Sequence, residues 1–269
     1  MATKTATKKT SSKALVPWTE KFAKYAKAAK EQTAKVVAGG VGVKFGHGTI
    51  TVGGAQIPGG KFNCIVLGVC AFNAWYRGKY DPNNIEIPDC YAFAAEMGDE
   101  DMAPRPEAED RQSETCATCE KNELGTAENG RGKACGNNLR VALITAKDAE
   151  DGESTAAAEL ATAKFSPTNV KHWKAYVDML ADDEGLPPWA VITEISAHHD
   201  DKTQIRLEFK LVEKIEDDDV LTELEKRAEP EKMQKLLQVA FTKPIAQTAK
   251  GKTAIGKSAK FAGKKAAKR

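Results

Sequence analysis

Residues 61–82 read KFNCIVLGVCAFNAWYRGKYDP, and this stretch decides the fold class. From Phe62 to Trp75 the chain is almost continuously apolar, after the turn Pro58-Gly59-Gly60, which is the signature of a strand. The longest mostly apolar run, Ile65 to Trp75, is too short to cross a bilayer as a helix. On such a strand Cys64 and Cys70, six residues apart, fall on one face among Ile65, Leu67 and Phe72, where they act as small buried hydrophobes. Upstream, Val41–Phe45 and Thr49–Val52 read as further strands separated by glycine. Downstream come Leu139–Thr145, Ala190–Ala197 and Thr203–Val212, the last with Ile205, Leu207, Phe209 and Leu211 inward and Arg206, Glu208 and Lys210 outward. Five or six strands make a small barrel or a sandwich.

Helices lie at the periphery, so the class is mainly β with an α+β arrangement. Ser166 suits an N-cap and Pro167 the first helical position, with Val170, Trp173, Tyr176, Val177 and Leu180 on one face before Gly185 and Pro187-Pro188 end the helix. A second helical stretch, Val220–Phe241, is interrupted near Pro230. Near the start, Leu15, Trp18, Phe22, Tyr25, Ala26 and Ala29 repeat at helical spacing, giving a basic amphipathic helix from about Trp18 to Val37 that ends at Gly39-Gly40.

The 269 residues carry a formal net charge of +2, an average that conceals three unlike regions. Residues 1–36 hold nine lysines against Glu20 and Glu31, a balance of +7. Residues 240–269 hold eight lysines and Arg269 with no acid, a balance of +9, which leaves −14 on the body between. The sequence therefore divides into a basic N-terminal arm (1–36), a core (37–212), an acidic helical segment (213–241) and a lysine-rich tail (242–269) too poor in large apolar groups to order itself. Lysine arms gain counterion-release entropy on phosphates without a shaped site, so a polyanion partner is expected. Tails that merely solubilise are the blander alternative. The opening residues MATKTATKKT lack the apolar stretch of a secretory signal, which places the expected location inside a cell.

Residues 88–137 interrupt the core with a polar stretch nearly free of apolar periodicity, and they hold four of the six cysteines. Cys90, Cys116, Cys119 and Cys135 follow the pattern C-x25-C-x2-C-x15-C. The Cys116–Cys119 spacing lets two thiolates converge on one tetrahedral ion, and Gly136 permits the tight turn such ligands favour. A structural zinc on these four would supply the order that the insertion lacks. A redox pair, disulfides and unrelated free thiols are the competing readings, disfavoured by the missing thioredoxin-like βαβ pattern and by the intracellular location.

Just before this insertion, Trp75, Tyr76 and Tyr80 interleave with Arg77 and Lys79, and Phe72 precedes them. Rings that stack on bases and cations that follow phosphates are the combination used on single strands. Arg131 and Lys133, in a glycine-rich turn before Cys135, are further candidates for phosphate contact. The competing account is rings capping a barrel end amid ordinary surface charge.

The motifs Tyr76-x-Gly78-x-Tyr80-Asp81-Pro82, Pro88-x-Cys90, Cys116-x-x-Cys119-x-x-Asn122-x-x-Gly125, Gly130-x-Gly132-Lys133-x-Cys135 and Pro188-Trp189-x-Val191-Ile192-Thr193 together resemble a family of bacteriophage proteins from replication and recombination regions. The resemblance spans about 41–212 and leaves both arms outside. It implies a protein that binds single-stranded DNA, on an OB-like barrel carrying a zinc lobe. Bacterial single-strand binders typically end in an acidic, partner-recruiting tail; this chain ends in a basic one.

Enzymatic readings find less support. Asp99-Glu100-Asp101, Asp182-Asp183-Glu184 and Asp217-Asp218-Asp219 fall in expected loops or helix ends and not on the rigid strand ends that a magnesium-dependent nuclease needs. Asp219 is expected to cap the following helix. His198-His199 reads as a polar turn. P-loop, GxGxxG and GxSxG motifs are absent. A zinc-containing adaptor or transcription-type protein, gripping duplex DNA by its arms, is the main alternative to the single-strand reading.

Overall fold

The computed structural model describes residues 41–78 and 86–241. The expected arm helix, the lysine-rich tail, Lys79 and Tyr80 lie outside these residues.

The long strand is β4 (Lys61–Trp75), and it organises a nine-stranded sheet. The others are β1 (Val41–Gly46), β2 (Thr49–Val52), β3 (Ala55–Ile57), β5 (Cys90–Ala94), β6 (Gly136–Thr145), β7 (Ala161–Phe165), β8 (Val191–Asp200) and β9 (Gln204–Lys214). The order is β3-β2-β1-β7-β6-β4-β8-β9, curled into a half-barrel. β6 runs along one edge of β4. On the other edge β8 pairs with its first residues and β5 with its last. All neighbours are antiparallel except β1 on β7. Among the described residues, four helices accompany the sheet: α1 (Gly152–Ala157), α2 (Pro167–Met179), α3 (Asp218–Arg227) and α4 (Pro230–Leu237).

A register shift between Val66 and Gly68 changes which residues of β4 face which way. Before it, Phe62, Cys64 and Val66 join Leu139, Val141, Leu143, Phe165, Trp173, Tyr176 and Leu207 in the core beneath α2. After it, Cys70, Phe72 and Ala74 share the opposite face with Ile65 and Leu67, beneath α3 and α4. Cys64 and Cys70 are both fully buried, but on opposite sides of the sheet. The inserted residue overturns the one-face expectation, because one extra residue inverts a period-2 pattern. Two glycines make the packing possible. A Cβ on Gly68 would lie 2.8 Å from Met233 Cγ of α4, so its absence lets α4 approach β4.

Gly60 has φ +64°, and a Cβ there would lie 2.5 Å from the Gly48 carbonyl oxygen in the β1–β2 turn. Gly60→Ala is therefore expected to destabilise the protein by about 2 kcal/mol, combining left-handed strain with a backbone clash. Urea unfolding measures it; an unchanged midpoint would show that the turn moves aside freely.

Ser166 caps α2 and Gly185, in the left-handed region at φ +66°, stops it after one wider turn. The Ser166 hydroxyl bonds Thr168 Oγ1 and the Asn169 amide instead of a backbone N–H. Asp217, not Asp219, caps α3, accepting from the backbone N–H groups of Asp219 and Val220. Among the described residues, four elements emerge where the sequence pattern was silent: β3, β5, β7 and α1. β5 corrects the reading of 88–137 as a stretch without a core of its own, since all five of its residues are buried. His198 and His199 lie on β8 and not in a turn; His199 Nδ1 is 3.0 Å from His47 Nδ1 of the β1–β2 turn, where the half-barrel curls round on itself.

Candidate metal centre and nucleic-acid interface

Beyond Ala94 the chain crosses one face of the β4–β5–β6 corner before returning as β6. Ala71, Ala92 and Ala94 present small side chains to it, and Met102 and Cys116 pack on them. Backbone bonds hold the crossing in place: Arg105 N donates to Tyr91 O (2.8 Å), Asp110 N to Asp89 O (2.9 Å) and Cys116 N to Met102 O (2.7 Å).

The register brings the four cysteines to this corner. Cys90 stands opposite Trp75 on one side of β4, and Gly136 opposite Ala74 on the other, so Cys135 enters β6 beside the same end of β4. Cys116 and Cys119 come down over it. Asn122 joins them, its backbone N–H donating to Cys119 O (2.9 Å) and its amide to Cys116 O (2.8 Å), while Cys135 N donates to Lys121 O (2.8 Å). All four cysteines are buried and line one cavity of about 10 Å³, together with Asn73, Trp75, Lys121 and Asn122. That is room for one water-sized occupant. Burial pushes the Cys135 thiol up to about 12, and the neighbouring thiols of Cys116, Cys119 and Cys90 add to the effect. Burial also raises Cys116, against a side-chain hydrogen bond from Asn73 that favours its thiolate.

Among the described residues, no group of three or more His, Cys, Asp or Glu side chains stands arranged to hold an ion. The shared cavity, the mutual influence of the thiols and the all-sulfur donor set nonetheless fit a small, borderline-soft cation, which would draw the thiols together as thiolates.

The other expected site residues separate. Trp75 is half-buried on the wall of the cysteine cavity, with the Lys121 ammonium 6.0 Å from its ring. Tyr76 is 39% exposed at the rim. Arg77 is fixed to the lobe: its backbone N–H donates to Asp89 (2.8 Å) and its guanidinium pairs with Asp110. Lys133 donates to Asn122 Oδ1 (3.1 Å), and Arg131 is exposed in the glycine turn. Phe72 lies on the opposite face, 3% exposed, stacked on Phe93 at 5.2 Å and covered by Phe241 at 5.6 Å. It offers no free ring face to a base as placed.

An amide network that sequence reasoning passed over links these parts. Asn137 donates to both Asn73 (2.6 Å) and Asn122 (3.0 Å), connecting β4 and β6 to the CxxC turn and to Lys133. Asn73, a polar residue within a buried apolar strand, was the available signal, because a buried amide needs partners.

Compared with known proteins, the chain matches no family model, no curated protein and no solved structure. No helix among the described residues is long and apolar enough to cross a membrane.

Proposed function

We propose that the protein binds single-stranded DNA, as a non-enzymatic component of phage replication or recombination, on an OB-like barrel. The connectivity carries this reading. β4, β6 and β7 form an antiparallel meander, α2 crosses over, and the β8–β9 hairpin follows with β8 returned against β4. Five strands so connected follow the strand order of the OB arrangement, in which the loops after the first and fourth strands flank the oligonucleotide face. In this chain the loop after the first strand of that set is the whole cysteine lobe. That lobe carries Lys121, Arg131 and Lys133, and Tyr76 stands 39% exposed where β4 runs into it.

Cys90, Cys116, Cys119 and Cys135 would hold a structural Zn2+ in that lobe, as a closed all-cysteine site without a catalytic position. Bound zinc supplies order to the lobe and no chemistry. Asn73 and Asn122 orient the thiols and the CxxC turn.

Fluorescence anisotropy with labelled oligothymidylate and with duplex of equal length, over a salt series, tests the reading. The single strand is expected to bind more tightly, and Tyr76→Ala to weaken it about tenfold, one stacked base being worth ~1–3 kcal/mol. Equal affinity for duplex, with a steep salt slope, would instead support the adaptor that holds duplex DNA by its basic arms.

A further inference from the structure

β1 and β7 run parallel for only two pairs, Val41 with Ala161 and Gly42 with Thr162, and then part. The gap between them is a cleft of about 410 Å³, with Lys44, Phe45, Lys164, Ile205 and Leu207 on its walls. Its floor is apolar, Phe45 is half-buried, and Lys44 and Lys164 stand exposed on its two lips. Its size falls in the range of sites that enclose a small organic group.

The charge around this cleft is unlike that of the body. Residues 41–60 and 160–177, within which both lips fall, contain no Asp or Glu, although residues 37–239 as a whole carry −14. Neither Lys44 nor Lys164 has an ion-pair partner among the described residues. Glu208, on the third wall's strand, is already engaged by His198 and Arg206. Lys164 also stands opposite a third cation, Arg140, on β6. Arg140 is satisfied from within, donating to the carbonyls of Leu237 (2.9 Å) and Val239 (3.1 Å) with Phe93 and Phe241 each 5.7 Å away. Like charges facing one another across strands are unfavourable unless an anion joins them. Loss of water holds the Lys164 ammonium below the ordinary lysine range, although the side chain as a whole is exposed, so a bound anion would restore what burial removes.

We propose that this cleft takes one nucleotide of a bound single strand, with its phosphate between Lys44 and Lys164 and its base against Phe45. The inference rests on the single-strand reading and adds to it a second contact surface, on the side of the half-barrel formed by β1 and β7.

The test compares full-length protein, Lys44→Ala/Lys164→Ala, Phe45→Leu and the control Lys226→Ala/Lys235→Ala, all checked for unchanged melting. Labelled oligothymidylate is titrated across a salt series. The cleft double variant is expected to lose about 1.4 from the log–log salt slope, two contacts at about 0.7 each on a single strand. Phe45→Leu is expected to weaken binding about tenfold at an unchanged slope. The control pair is expected to leave both unchanged. If the parent does not prefer the single strand, the functional reading itself fails. If the parent binds but the cleft double variant keeps the parental slope, or the control loses as much, the cleft assignment is overturned. Saturation by thymidine monophosphate without strand binding would assign the cleft to a free nucleotide and overturn it as well.

Discussion

Cys116→Ser is expected to strip the protein of stoichiometric zinc and to unfold the segment between β5 and β6. The expectation follows from how little else holds that segment. Its apolar contribution to the core is essentially Met102 and the cysteines themselves, packed on three alanines. The remaining order comes from backbone bonds, from Asn122 and from exposed ion pairs such as Arg105 with Glu107, the last worth at most about 1 kcal/mol each. A structural zinc on the four cysteines would contribute on the order of 10 kcal/mol, so its loss would outweigh every other interaction in the lobe. Elemental analysis of purified protein and variant reads the metal directly. Hydrogen exchange reads the consequence: amides from Cys116 to Cys135 should exchange at loop rates in the variant, while those of β6, β7 and β8 stay protected. Native protein without bound metal, or a variant with unchanged lobe protection, would rule the site out.

Phe165→Ala is expected to cost about 3–5 kcal/mol, a large part of the stability of a single domain. Phe165 ends β7 fully buried, and its ring lies 6.0 Å from Phe45, 5.6 Å from Trp173 and 5.1 Å from Phe209. It thereby joins β1, α2 and β9, three elements that share no backbone ladder with one another. Neighbouring rings cannot close the gap, because Trp173 is itself held against Tyr176 and Phe209. Chemical denaturation measures the loss. A change under about 1 kcal/mol would mean that α2 settles into the cavity and that the core beneath it is plastic.

Much of the half-barrel was legible because most of its strands alternate or run continuously apolar. β4 was read to within a residue from its composition, and α2 from its cap, its proline and its apolar face. β5 was not, because Cys-Tyr-Ala-Phe-Ala sits within a polar stretch and is too short to show a period. Its burial comes from lying between β4 and two layers, the lobe on one side and Phe241 on the other. The candidate site divides in the same way. The spacing of Cys116 and Cys119 marked them as partners, and the register of β4 with β5 and β6 brought Cys90 and Cys135 to them. Phe72 shared its run with Trp75, yet lies on the opposite face of the same strand.

The sequence by itself determined the mainly β class, the positions of the long strand and of α2, the segregation of charge into basic ends and an acidic body, and the four-cysteine pattern. These are local or compositional properties, expressed within a few residues of one another. Tertiary structure alone decided three things. The inserted residue at Val66–Gly68 inverted the facing of Cys70 and Phe72, because a strand's period of two has no tolerance for one extra residue. The long-range ladders gathered the cysteines and the amide network of Asn73, Asn122 and Asn137 at one corner. The parting of β1 from β7 put Lys44 and Lys164, far apart in the chain, on facing lips of one cleft, a proximity that only the parallel pairing of those strands creates.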